Sequence, residues 1–483
     1  MSLRTGVVLG AALVLAGCHP MAPEGSLVAT QTPVSGAAAA GPTVLDVRYP
    51  AGSRVVLMSP PFQPDAVQVL SGGLVAAGDP RVSWDGRWVY FAGKSSVEAD
   101  WQIYRVNAGG GRPQRVTAMP GGAMDPALAA HEELVFSSPV PAAGRLWSTN
   151  TPASLYGQLP DREAERLTYS PDSAAGSTVL RDGRVLFVTT KPRDDRMAPP
   201  HLSLYTINNN GTEVTAYAGQ DDGMTMVRRP RELGDGRVAF LTARGEDPAA
   251  LDRAECVRSS DPFGSRGDLL AFRDKRCRSV EPLPGGDLLA CLETRDATAM
   301  MDRAAVYRVA AEANAIGAPL FDDPRWSTIE ATAVVARPAP AGHTSAVKPG
   351  ATHGTLFCLD VNRSRRPAAG DNPARAAALR VFALMDSGQV RPVGQVPVDA
   401  DGSVIVQLPA GVPLGLDTLD AAGNVLRHQP AFIWLRPGEN RACIGCHEPR
   451  NHGPRNVRPL AATHGPAHLD FADVPTHAAT AKP

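Results

Sequence analysis

Two cysteines two residues apart and followed at once by a histidine, Cys443-Ile444-Gly445-Cys446-His447, are the residues of this chain best suited to chemistry. Two thiols at this spacing can add to the two vinyl groups of a haem while the adjacent imidazole reaches the iron. The pattern therefore reads as a c-type attachment site, with Cys443 and Cys446 as thioether anchors and His447 as an axial ligand. With 7 Cys and 11 His among 483 residues, about 0.002 chance matches are expected. The competing readings are half a zinc site and a redox dithiol. The first lacks a second Cys-x-x-Cys to complete it, and the second lacks a surrounding βαβ pattern. One covalent haem c is the cofactor expected.

A second axial ligand would have to come from outside the motif. The last methionine is Met385 and none comes after Cys446, so the common downstream-Met arrangement is excluded. His452 lies five residues past His447, at most about 17 Å of extended chain, which makes a wrap around the macrocycle strained. His464 and His468 have the reach, at the expense of ordering their linker. The sixth site is expected to be open or weakly held, with His464 and His468 as the candidate ligands.

Covalent haem attachment is completed outside the cytoplasm, and the N-terminus carries an export signal. Arg4 precedes an uninterrupted run of small and aliphatic residues from Gly6 to Gly17, closed by Leu15-Ala16-Gly17-Cys18. Twelve residues are too few to span a bilayer. Leu-Ala-Gly-Cys resembles the lipobox of bacterial lipoproteins, which implies lipidation of Cys18 and a mature protein tethered to the cell envelope, in the periplasm or at the outer membrane. The formal net charge is −1 with no block of like charges, so nucleic acid is not an implied partner.

Gly 46 and Pro 44 are spread between short apolar runs, the composition of a turn-rich all-β chain. Residues 1–18 read as the signal and 19–44, which include the Ala37–Ala40 run, as a flexible tether. From 45 to 336 the sequence repeats. A glycine turn feeds a short apolar strand reaching Phe91, Phe187, Phe240 and Ala290, and Glu133-Leu134-Val135-Phe136 is a weaker copy; the steps between Phe91, Phe136, Phe187, Phe240 and Ala290 are 45, 51, 53 and 50 residues, the period of a propeller blade. Adjoining strands carry an aromatic (Ile103-Tyr104, Leu146-Trp147, Leu204-Tyr205, Val306-Tyr307), and closing strands end in Thr117, Thr168 and Thr215. About six blades are expected, with Val44–Met58 closing the ring against the last. The repeat Asp79-Pro80-Arg81-Val82-Ser83-Trp84-Asp85-Gly86-Arg87 resembles that of TolB-type propellers.

Cys256, Cys277, Cys291 and Cys358 allow up to two disulfides in an oxidising compartment, a bridge pinning the polar Cys256–Cys277 insertion being the favoured one. A Pro/Gly/Ala linker at 337–352 leads into short β runs over 353–436, a small β-sandwich. Asp399-Ala400-Asp401-Gly402 lacks the closing glutamate of a calcium loop and reads as a hairpin turn. Residues 437–460 carry the haem site, and 461–483 read as a flexible tail.

The run Pro397-Val398-Asp399-Ala400-Asp401-Gly402-Ser403, then Leu419-Asp420-Ala421-Ala422-Gly423, Trp434, Pro437-Gly438-Glu439 and Cys443-Ile444-Gly445-Cys446-His447-Glu448 resembles the middle domain of the hydrazine synthase alpha subunit and its relatives. The resemblance, over roughly 45–460, implies a six-bladed propeller followed by a small β domain bearing a haem c. That family's alpha subunit continues into a domain with a second, bis-histidine haem, whereas one Cys-x-x-Cys-His occurs in these 483 residues. Fold and haem attachment are therefore implied, and the reaction is not. Three functions remain: an electron-transfer lipoprotein docking a redox partner protein, a small-molecule oxidoreductase at an open haem site, and a propeller scaffold with a structural haem.

Overall fold

The computed structural model describes residues 21–34, 48–139, 153–191, 201–219, 226–243, 253–271, 275–294, 303–310, 316–364, 375–385, 387–429, 431–445, 453 and 456–476. Six antiparallel sheets form the first domain. Blade 2 is typical: Ala76–Val82, Trp88–Lys94, Gln102–Asn107 and Gln114–Arg115 run outward in chain order. Its second strand is the glycine-fed apolar run of the repeat. Both faces of that strand are buried because each blade stacks on two neighbours, which is why the runs read as nearly continuous apolar segments rather than alternating ones.

The innermost strands, Trp326–Ala333, Ala76–Val82, Met124–Leu128, Ala174–Val179, Met226–Glu232 and Lys275–Pro282, succeed one another around a closed ring. Each breaks its register once, in a β-bulge. Asp79, Asp125 and Arg229, each directly before a proline, take positive φ at this place, and Gly176 does so in blade 4. The bulge turns these side chains to the ring axis. There Glu330 Oε1 accepts hydrogen bonds from Arg48 (2.6 Å), Tyr49 Oη (2.6 Å) and Arg229, while Oε2 accepts from Thr30 Oγ1 (2.8 Å) and the Asp79 amide (2.9 Å). Blades 1, 2 and 5 are thus fastened through one carboxylate.

The ring closes differently from the sequence expectation. Blade 1 has the order Trp326–Ala333, Leu27–Pro33, Arg54–Met58, Gln68–Val69. Leu27–Pro33, expected within the 19–44 tether, is a full strand paired on both sides. Its polar residues hid it: Thr30 and Gln31 are fully buried, Thr30 Oγ1 donating to Glu330 and Gln31 Oε1 accepting from Arg54 at 2.9 Å. The aromatic-bearing strand expected at Leu146-Trp147 lies outside the described residues, and the strand beside Leu134–Pro139 is Ala153–Gln158, with Tyr156. Nor do Cys256 and Cys277 pin a loop. They sit in strands Arg253–Arg258 and Lys275–Pro282 of separate sheets, and neither is in a disulfide.

The second domain is a sandwich of two four-stranded sheets. One has the order Asn440–Cys443, His353–Cys358, Val404–Pro409, Ala467–His468, and the other Val390–Pro397, Ala378–Leu384, Leu414–Leu419, Val425–His428. Leu356, Val381, Val404, Val406, Leu408 and Leu414 fill the space between them. The expected flexible tail is built in over its described part. Ala461 and Val474 are buried, Ala467–His468 pairs with Val406–Gln407, and the turn at Leu460–Thr463 is held by Asp401 (2.8 Å to the Leu460 amide) and Ser403 (2.9 Å to the Ala461 amide). Its prolines prevent regular structure without preventing docking onto a neighbouring sheet edge.

Candidate functional site

The Cys-x-x-Cys-His motif begins on Asn440–Cys443, a four-residue edge strand parallel to His353–Cys358, with Cys443 opposite Cys358. Thr355 donates to Glu439 O (2.7 Å) and Leu359 to Cys443 O (2.9 Å), which fixes the register at both ends. Gly354 allows the approach, since a Cβ there would meet Glu439 O and Leu435 Cβ at 2.9 Å each. Cys443 is half-buried, its inner side against the sandwich core. Ile444 and Gly445 continue the chain, while Cys446 and His447 lie outside the described residues.

Four residues of edge strand are too few to hold a site rigidly, and the segment just before them is clamped to the propeller. Arg436 is 1% exposed. Its guanidinium donates to Asn210 O (3.0 Å), Arg166 O (3.0 Å), Tyr169 Oη (2.8 Å) and the Glu165 carboxylate, and it lies over the Tyr169 ring. Trp434 Nε1 donates to Gly211 O (3.3 Å). Arg441 donates to Trp434 O (3.0 Å) and to Val214 O. Glu439 accepts from the Arg436 amide (2.7 Å) and the Glu213 amide (3.2 Å), and burial pushes its carboxyl above the usual range. Gly211, at φ +84°, makes room in blade 4, where a Cβ would meet Leu167 O at 2.8 Å and Arg436 Cδ at 3.0 Å. The motif is thus referred to blades 3 and 4 by a buried cation and its carboxylate.

The residues present fit a covalently held haem. Cys443 stands at the end of a strand that, among the described residues, is hydrogen-bonded to a neighbouring strand on one side, and the next two donors of the set, Cys446 and His447, come within four residues. The candidate second ligands fall elsewhere. His464 Nε2 lies 2.9 Å from Asp399 Oδ2 and its Nδ1 2.9 Å from Gly465 O. Each ring nitrogen faces an oxygen, which favours the protonated ring, and both hydrogen bonds raise its pKa, the Gly465 carbonyl first and Asp399 second. His468 stands on Ala467–His468, three strands from Asn440–Cys443, about 14 Å across the sheet. Met385 packs at the rim of the sandwich core.

Sequence reasoning missed the clamp. Arg436 ends the apolar run Phe432-Ile433-Trp434-Leu435, and an arginine in that place is the available signal, since its stem can be buried only if the guanidinium is paired. Its partners in blades 3 and 4 carry no local mark.

Residues 361–448 match the family model of the hydrazine synthase alpha subunit middle domain. Hydrazine synthase subunit alpha of Kuenenia stuttgartiensis is 22% identical over 520 aligned positions, covering 82% of this chain and 63% of its own length. The chain therefore spans less than two thirds of that relative. The solved Kuenenia stuttgartiensis hydrazine synthase superposes with a TM-score of 0.77 at 18% identity over 92% of this chain and 72% of that one, so the fold is shared. TolB of Acinetobacter baumannii reaches a TM-score of only 0.36 at 12% identity, over 60% and 65% of the two chains, too slight a likeness to argue from. A six-bladed propeller leading into a sandwich whose residues 361–448 match that middle domain makes this chain a protein like the hydrazine synthase alpha subunit.

Proposed function

We propose that this chain is an exported, lipid-anchored c-type haem protein with a redox role. Cys443 and Cys446 hold the porphyrin as thioethers and His447 takes one axial position. The observation that carries the reading is the placement of Cys443 at the end of the strand that the buried Arg436 clamp positions, inside the stretch matching the middle domain. A bound haem supplies one-electron chemistry at its iron. The chain's own residues supply a fixed strand, a sheet edge and a buried ion pair that hold the attachment segment against blades 3 and 4. Because its relative is named as a subunit, a protein partner is part of the proposal, docking on the propeller or on the haem face. Cys18 is the lipid anchor in the cell envelope.

Thioethers survive denaturation, so the polypeptide made with a cytochrome maturation system should keep peroxidase-active haem on a denaturing gel, and Cys443→Ala/Cys446→Ala should lose it. Wild-type protein without stainable haem ends the reading. A second reading, a small-molecule oxidoreductase with an open sixth position, is favoured over pure electron transfer by the engagement of both His464 nitrogens. A ferrous spectrum that shifts promptly with carbon monoxide supports it, and one indifferent to carbon monoxide returns the choice to electron transfer.

A further inference from the structure

Cys358 is not part of the Cys-x-x-Cys-His motif, yet the fold sets it beside the motif's first cysteine. His353–Cys358 and Asn440–Cys443 run parallel with Cys358 opposite Cys443. Opposed residues of a parallel ladder put their side chains on the same face, about 4.8 Å apart between strands, within the 4.4–6.8 Å Cα range of a disulfide. Both cysteines pack on the same sandwich core, Cys358 buried within it and Cys443 against its rim. The Cβ–Cβ spacing of a disulfide is shorter than the ladder spacing. The strand that must close the difference is the four-residue edge strand, paired on one side among the described residues. Cys256, Cys277 and Cys291 belong to strands in blades 5 and 6 and stay apart from this pair.

We propose that Cys358 is a resolving thiol for the attachment site: before haem is attached, Cys358 and Cys443 form a reversible disulfide that closes the sandwich sheet over Cys443 and must be reduced for the thioether to form. In the forward step an oxidised dithiol protein of the cell envelope is the oxidant. The Cys443 thiolate attacks its disulfide and a mixed disulfide forms. The Cys358 thiolate then displaces the carrier, two electrons pass to the carrier's sulfurs, and the two protons released from Cys358 and Cys443 end on its thiols. A reduced dithiol protein reverses the exchange and returns both cysteines to thiols. Addition of the Cys443 S–H across a vinyl group then forms a carbon–sulfur bond with no net redox change and withdraws Cys443 from exchange for good. The haem half of the proposal rests on the reading given under Proposed function. The disulfide itself does not.

The test uses the full chain exported without a haem maturation system, alkylated under native conditions, digested without reductant and mapped by mass spectrometry. A linked Cys358–Cys443 peptide pair is expected, about 2 Da below the sum of the two thiol peptides, separating on reduction. Alkylated thiols at both positions, or a bridge confined to Cys443 and Cys446, overturns the proposal. In Cys358→Ala or Cys358→Ser the linked pair is lost, and in-vitro haem addition to the purified apo chain becomes less dependent on added thiol reductant than in wild type. An unchanged reductant dependence in both variants overturns the role in attachment. Absence of stainable haem in mature wild-type protein refutes the haem reading alone, because the peptide map needs no haem.

Discussion

Replacing Arg436 with Met keeps the length of the buried stem and removes only the charge and its donors. The guanidinium is 1% exposed and satisfies two backbone carbonyls, a phenol and the Glu165 carboxylate. Without it, Glu165, whose side chain is 14% exposed, is left facing the interface with no counter-charge from this residue. Breaking a buried pair from one side costs about 3–5 kcal/mol, most of it the desolvation of the group left behind. For a chain of 483 residues, with an unfolding entropy near 2.1 cal/mol/K per residue, that loss corresponds to a melting temperature lower by roughly 3–5 °C if the molecule melts as one unit. If the domains uncouple, two transitions appear instead of one. Calorimetry on wild type, Arg436→Met, Glu165→Gln and the double variant measures the pair through a double-mutant cycle. The double variant should recover part of the loss, because the stranded carboxylate is gone. An Arg436→Met protein melting within about 1 °C of wild type, with a single transition, would refute the clamp.

Burial pushes the Asp79 carboxyl from 3.8 up to about 6, against the pull of Arg81, which pairs with it at 2.9 Å. Its folded value is raised, so the native state binds the extra proton and this group's contribution to stability grows as pH falls from about 7 toward 4. Between pH 7 and 5 the gain is about 1 kcal/mol, and Asp79→Asn should remove it from urea midpoints; parallel pH profiles for the two proteins would contradict the assignment. Gly211→Ala should destabilise by about 1–3 kcal/mol through its positive φ and the contact with Leu167 O, whereas an unchanged midpoint would show that the loop yields freely. Cys18→Ala should move the protein from the membrane to the soluble extracytoplasmic fraction, and a variant that stays membrane-bound would disprove the anchor. His464→Ala should leave the ferric and ferrous spectra unchanged, since both ring nitrogens face protein acceptors; a changed Soret band would identify it as an iron ligand.

The propeller was legible because its signal is repeated. Phe91, Phe136, Phe187 and Phe240 each end or centre a second strand whose burial on both faces demands an apolar run, and five copies at one period are hard to misread. Leu27–Pro33 was not legible, since its centre, Thr30-Gln31-Thr32, is buried and polar, and the partners of Thr30 and Gln31, Glu330 and Arg54, lie far along the chain or across a turn. The sandwich strands could be read from alternation, but the docking of Ala461 and Val474 could not. Small side chains among prolines look alike whether they cover a core or trail into water. At the site, the cysteine–histidine spacing is a local pattern. The Arg436 cluster and the Cys358–Cys443 register are long-range facts, fixed by which strands become neighbours.

The same long-range placement accounts for the order of the domains. A four-residue edge strand gains little from its own ladder bonds, so it must take its position from elsewhere. The linker runs along the propeller before the sandwich begins, with Arg337 over Trp84 and donating to Val82 O (2.6 Å), the Ala341 amide bonded to Arg181 O (2.8 Å), and Asn210 reaching Ser345 (3.1 Å). Lys348 then bonds to Pro437 O (2.8 Å), beside Arg436. The chain thus enters the sandwich and later returns to the propeller over the same face, and the Asn440–Cys443 strand starts at that second crossing. A closed ring of six blades, fastened at its axis through Glu330, is the base on which those crossings rest. The propeller is on this argument the part of the molecule that would make a short edge strand precise enough to present the haem proposed above.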